Sequence, residues 1–139
     1  MFRRVLVPVD LSTGGARPVR VAADLAASHG SRLTLIHVIQ RIDGIPAADL
    51  RAFYAKVEAT ARRRLAALRR RVAGRVRAVR CEVIVGDPAA DIVRFAARQR
   101  MNLIVIGSHR VEPGRRGHGL GTTSYKTAVL CGCPVLLVK

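Results

Sequence analysis

The chain closes with NLIVIGSH over residues 102–109, RVEPGRRGHGL over 110–120, GTTSYKTAVLCG over 121–132 and CPVLLVK over 133–139. The pattern predicts a strand, a glycine-rich loop, a helix and a strand. An apolar run ending at Gly107 has the character of a buried parallel strand, and Gly121 followed by Thr122 and Thr123 predicts the capped start of a helix. Unpaired backbone N–H groups at such a start can hold a phosphate. Glycines at 107, 114, 117, 119 and 121 let the backbone approach an anion closely and adopt positive φ. A ligand is expected here.

Upstream, strand and helix signals alternate in the same way. Arg4 to Val9 is a strand-like apolar run, and Asp10, Ser12 and Thr13 offer capping oxygens ahead of a helix with Ala16, Val19, Ala23 and Ala26 on its apolar face. Gly30 ends that helix, and LTLIHVI over 33–39 predicts a second strand, followed by the loop QRIDGIP. Val57, Ala61, Leu65, Leu68 and Val72 recur at helical spacing, which predicts a long helix over 47–72 closed by Gly74. Val76 to Val85 predicts a third strand, and Asp87 with Pro88 at the first helical position starts a third helix. Leu103 to Ile106, a helix over 122–130 and a strand over 135–138 complete the series. Such alternation predicts an α/β fold, with parallel strands and right-handed crossover helices on both faces. No linker, repeat or low-complexity tract interrupts it, so a single domain over 1–139 is expected.

A chain of 139 residues with 50% hydrophobic and 4% aromatic composition can build a core from Val, Leu, Ile and Ala without disulfide help. The apolar run after Phe2, Arg3 and Arg4 is too short for a signal peptide, and no stretch reaches transmembrane length. A soluble cytoplasmic protein is the expectation. The three cysteines, Cys81, Cys131 and Cys133, point to a reducing compartment, the last two being too close along the chain for an ordinary structural bridge. The histidines show no zinc-finger spacing with them, and no metal site is expected.

The net charge of +16 is mostly arginine, with Arg62, Arg63 and Arg64 recurring one heptad later as Arg69, Arg70 and Arg71. A solvated helix face explains this run. Nucleic acid is the disfavoured partner, because the stretch supplies only Phe53 and Tyr54 for base stacking. His37, inside a strand-like run, reads as a core histidine rather than a catalytic one.

In an open parallel sheet, ligands bind beyond the carboxyl ends of the strands, where the winding direction reverses. Asp10, Val38 and Gly107 all fall at such ends. The loop after Gly107 is strongly cationic, with His109, Arg110, Arg115, Arg116 and His118 against Glu112 as its only acid. A polyphosphate would gain charge-assisted hydrogen bonds there; a solvated surface loop accounts for the same residues.

VLVPVD, LIHVI, GDPAADIV, LIVIGSH and GTTSYKTAVLCGCPVLLVK, in that order over nearly the whole chain, resemble the universal stress protein family. The resemblance implies a three-layer α/β/α, Rossmann-like fold of the adenine-nucleotide alpha hydrolase type, with five parallel strands ordered 3-2-1-4-5. It also implies a homodimer paired through the final strands and, in many members, bound ATP, with Mg2+ accompanying it. The family's phosphate motif is G-x-x-G, a spacer, then G-[ST]. Gly107, Gly121 and Thr122 match its ends, whereas Arg110 replaces the second glycine and the stretch to Gly121 is one residue longer. The Arg110 side chain either blocks the phosphates or grips one. By resemblance, Asp10 and Val38 contact adenine and ribose, with Pro8 shaping the first turn, and Gly107, Gly121, Thr122 and Thr123 contact the phosphates; His109 and Arg110 are added as nucleotide-binding candidates by the charge of the loop.

No nucleophile, base and orienting acid stand at a recognisable spacing, and the Walker A lysine is absent. Catalysis beyond slow ATP hydrolysis is not expected. Three readings stay open: a nucleotide-sensing stress-response module, a nucleotide-independent dimeric adaptor that docks a protein partner, and a polyanion binder driven by net charge.

Overall fold

The structure is a computed structural model and describes residues 1–12, 15–108 and 122–139. Its elements are β1 (Arg4–Pro8), α1 (Ala16–His29), β2 (Arg32–Gln40), α2 (Ala47–Val72), β3 (Ala78–Gly86), α3 (Pro88–Arg98), β4 (Leu103–Gly107), α4 (Thr123–Leu130) and β5 (Val135–Val138). The strands form one five-stranded sheet of order β3-β2-β1-β4-β5, and every pairing is parallel. The order reverses at β1, between β2 and β4, so that a crevice opens where their carboxyl ends diverge.

Period-two alternation along the strands divides the core in two. Val5 and Val7 of β1, with Leu33 and Leu35 of β2, pack under α1 and α2 against Val19, Ala23, Ala26, Leu65 and Leu68. Leu6, Ile36, Ile104 and Ile106 point the other way, onto Ile92 and Ala96 of α3. These are three layers, α/β/α. Leu6, Leu35, Ile36, Leu65 and Ile104 are fully buried, and each such side chain contributes roughly 1.5–3 kcal/mol.

α2 covers the predicted span because Ala61, Leu65, Leu68 and Val72 all turn inward, while the arginines at 62–64 and 69–71 remain exposed. α3 has Asp87 as its N-cap residue and Pro88 in the first turn. The Asp87 side chain makes no cap bond there; instead Asp91 Oδ2 accepts the Asp87 N–H at 2.8 Å. α4 is capped as expected, Thr122 accepting from the Tyr125 N–H at 3.3 Å.

The expected capping of α1 by Asp10 or Ser12 does not occur. The N-cap is Gly15, at φ 65°, and among the described residues no side-chain cap bond is made there. Helical geometry begins at Ala16, and Asp10 Oδ1 is engaged locally by the Ser12 N–H and hydroxyl at 2.9 and 2.6 Å. Thr13 lies outside the described residues. Gly15 is required twice over: positive φ costs an L-residue strain, and an added Cβ would stand 2.3 Å from Val9 Cγ1. β3 starts at Ala78 rather than at Val76, which is buried ahead of the strand.

Candidate functional site

The carboxyl ends of β1, β2 and β4 surround a crevice of about 780 Å³, within the roughly 300–1,000 Å³ typical of small-molecule sites. Six of the residues singled out from sequence line it together: Pro8, Asp10, Val38, Gly107, Thr122 and Thr123. His109, Arg110 and Gly121 lie outside the described residues, as do Arg115, Arg116 and His118.

Each lining residue is held by its element. β1 ends at Pro8, and the Val9 N–H still donates to the Ile36 carbonyl at 2.8 Å, which carries the backbone straight to Asp10. Asp10 is exposed, and the two bonds from Ser12 fix its carboxylate in a tight turn at the lip. Val38 is buried near the end of β2. Gly107 ends β4 where α1 comes close, since a Cβ there would lie 3.1 Å from Pro18 Cγ. Thr122 and Thr123 present the N-terminus of α4, where unpaired N–H groups and the helix dipole favour an anion.

His37 also lines the crevice and is half-buried, with Nδ1 2.8 Å from the Val9 carbonyl. It was expected in the core, but β1 has ended by this register, so one edge of the ring faces the opening. Arg17, Ser108 and Lys139 were not anticipated and line the crevice as well. Ser108 N–H donates to the Val138 carbonyl at 2.8 Å, and Lys139 Nζ stands 3.5 Å from Ser108 Oγ. Ser108 and Lys139 each follow the last residue of a strand. The rule that ligands gather beyond carboxyl ends could have found both. Arg17 depends on how α1 sits and carries no sequence signal.

Among the described lining residues the charged side chains are Asp10 against Arg17 and Lys139. That balance suits an anionic ligand with one hydrogen-bond-donating neutral part, which the Asp10 carboxylate can accept from. The described residues contain no cluster of three or more His, Cys, Asp or Glu able to hold a metal ion. No described helix is long and apolar enough to cross a membrane.

The universal stress protein family model matches residues 1–139. A universal stress protein encoded in the QAH/OAS sulfhydrylase 3'region of Thermus aquaticus is 30% identical over 148 residues, covering 100% of both chains. The solved structure of the universal stress protein UspA from Lactobacillus plantarum is 25% identical, with a TM-score of 0.80 over 99% of this chain and 98% of that one. A universal stress protein from Archaeoglobus fulgidus, solved in complex with dAMP, shares the fold at 21% identity, with a TM-score of 0.69 and 100% of each chain covered.

Proposed function

The chain belongs to the universal stress protein family, and on that premise we propose that it is a cytoplasmic, single-domain stress-response module that binds ATP or a related adenine nucleotide. The convergence of Asp10, Val38, Gly107 and Thr122 on one crevice at the point where the sheet's order reverses carries this reading. In it, Pro8, Asp10 and Val38 receive the adenosine, the Asp10 carboxylate accepting from a ribose hydroxyl. Gly107, Thr122 and Thr123 receive the phosphates together with His109, Arg110 and Gly121, and Arg17 and Lys139 add positive charge. A triphosphate brings Mg2+ on its own oxygens. The dAMP bound by the Archaeoglobus fulgidus protein is a precedent for an adenine nucleotide in this fold.

The role is binding and signalling. A homodimer through β5 completes the proposal. β5 is an edge strand, and Leu136 and Leu137 are exposed, as are Val129 and Leu130 of the adjoining α4. A second copy would pair the open edge and cover these side chains. The test is to purify the protein under native conditions, denature it and separate the supernatant by chromatography. Adenine nucleotide released in stoichiometric amount supports the reading. Supernatant free of nucleotide, together with no thermal stabilisation by millimolar ATP, refutes it.

A further inference from the structure

Away from the crevice, the described residues bring two nucleophilic side chains into contact: Cys131 Sγ lies 3.3 Å from Cys133 Sγ. Cys131 is the C-cap of α4, its N–H bonded to the Thr127 carbonyl at 2.9 Å, and the chain then bends through Gly132 and Cys133 before β5. That bend overcomes the short separation along the chain, which argued against an ordinary bridge. From the 3.3 Å contact the two sulfurs need to close by only roughly 1.3 Å to reach S–S bond length. Both cysteines pack against the core under α3 while keeping part of their surface in solvent. Two accessible thiols in contact, with no third metal-ligating group beside them among the described residues, have the makings of an exchange couple.

We propose that Cys131 and Cys133 are a redox-active dithiol that closes to an intramolecular disulfide by exchange with a low-molecular-weight disulfide. The Cys131 thiolate attacks one sulfur of the small disulfide, forming a mixed disulfide and expelling one small thiolate, which takes up the Cys131 proton. The Cys133 sulfur then attacks Cys131 Sγ, the mixed S–S bond breaks, and the second small thiolate leaves with the Cys133 proton. Two protein thiols are oxidised and one small disulfide is reduced to two thiols.

The order of the steps follows from the surroundings. Burial, a hydrogen bond with Cys131 and its nearby charge push the Cys133 thiol up to about 12, so Cys133 does not attack first. Once Cys131 is in a mixed disulfide, the two contributions that come from its sulfur are gone, and Cys133 becomes the better nucleophile. Cys81, on β3, has no sulfur partner and is also pushed up by burial. It serves as an internal control.

The test is to incubate the reduced protein with oxidised glutathione and map the products by mass spectrometry without reduction. Wild type is expected to lose two hydrogens, retain no glutathione, and yield a single peptide bridged between Cys131 and Cys133. Cys133→Ser is expected to accumulate glutathione on Cys131, and Cys131→Ser to form no bridge and to hold any glutathione it gains as a stable adduct on Cys133. A stable glutathione adduct on wild-type Cys131 would overturn the proposal, as would a bridge between two chains or faster reaction at Cys81. Failure of the folded protein to react while the urea-unfolded chain forms the bridge would overturn it equally.

Discussion

His37 Nδ1 stands 2.8 Å from the carbonyl oxygen of Val9. A carbonyl only accepts, so Nδ1 carries the hydrogen, and in the neutral ring Nε2 is left as an acceptor. The same Val9 donates its N–H to the Ile36 carbonyl at 2.8 Å. β2 therefore holds both backbone polar groups of the residue that precedes Asp10. Replacing His37 by Ala is expected to cost about 1 kcal/mol of stability by denaturant unfolding and to weaken nucleotide binding through a looser Asp10 turn. Unchanged stability and unchanged affinity would show that the ring does not position that turn.

Gly15→Ala faces both positive φ and a Cβ placed 2.3 Å from Val9 Cγ1. It is expected to destabilise the fold by about 2 kcal/mol or more. Gly74→Ala, where nothing lies within 4 Å, is the matched control and is expected to fall within about 0.5 kcal/mol of wild type. Equal midpoints for the two variants in urea would contradict the geometry assigned to the start of α1.

Thr122 closes α4 through its side-chain oxygen, which accepts the Tyr125 N–H at 3.3 Å. Thr122→Ala is expected to lose about 1 kcal/mol, and Thr122→Ser to restore most of it. If the residue also meets phosphate, Ala weakens ATP binding by more than its stability loss accounts for, and Ser recovers affinity. Calorimetric titration of both variants separates the two roles.

Cys133 gives a dependence on pH with a defined sign. Its thiol is raised in the folded chain from an ordinary value of 9.0 to about 12. The unfolded chain therefore ionises first as pH rises. The contribution of Cys133 is fully present below about pH 9 and is lost progressively as the pH passes from there to about 12. Denaturation midpoints measured across that window should fall less steeply for Cys133→Ser than for wild type; parallel curves would contradict the assignment.

Periodicity made the architecture legible where one face of an element is buried and the other exposed. α2 could be bounded at both ends because Ala61, Leu65, Leu68 and Val72 line one side while arginines occupy the other. The strands were readable as short apolar runs between turn residues, and the parallel order implied by the family likeness is the order found. Asp10 was misread as a cap because capping residues look alike whether the helix starts two residues on or six. Only the Gly15 geometry, set by packing against Val9, fixes the start at Ala16. Arg17 joins the crevice through the placement of α1 on the sheet, and the contact between Cys131 and Cys133 arises from a bend at Gly132. Such features depend on tertiary packing, which spacing along the chain does not encode.

Calorimetric titration of ATP into wild type and into Asp10→Ala, each with its unfolding midpoint measured alongside, tests the nucleotide claim at its site. Asp10 is exposed at the lip of the crevice, so the variant is expected to fold. Saturable binding by wild type at one nucleotide per chain, weakened at least tenfold in the variant, is the predicted result. Absence of binding by wild type, or equal affinity for both proteins, would contradict nucleotide recognition in this crevice.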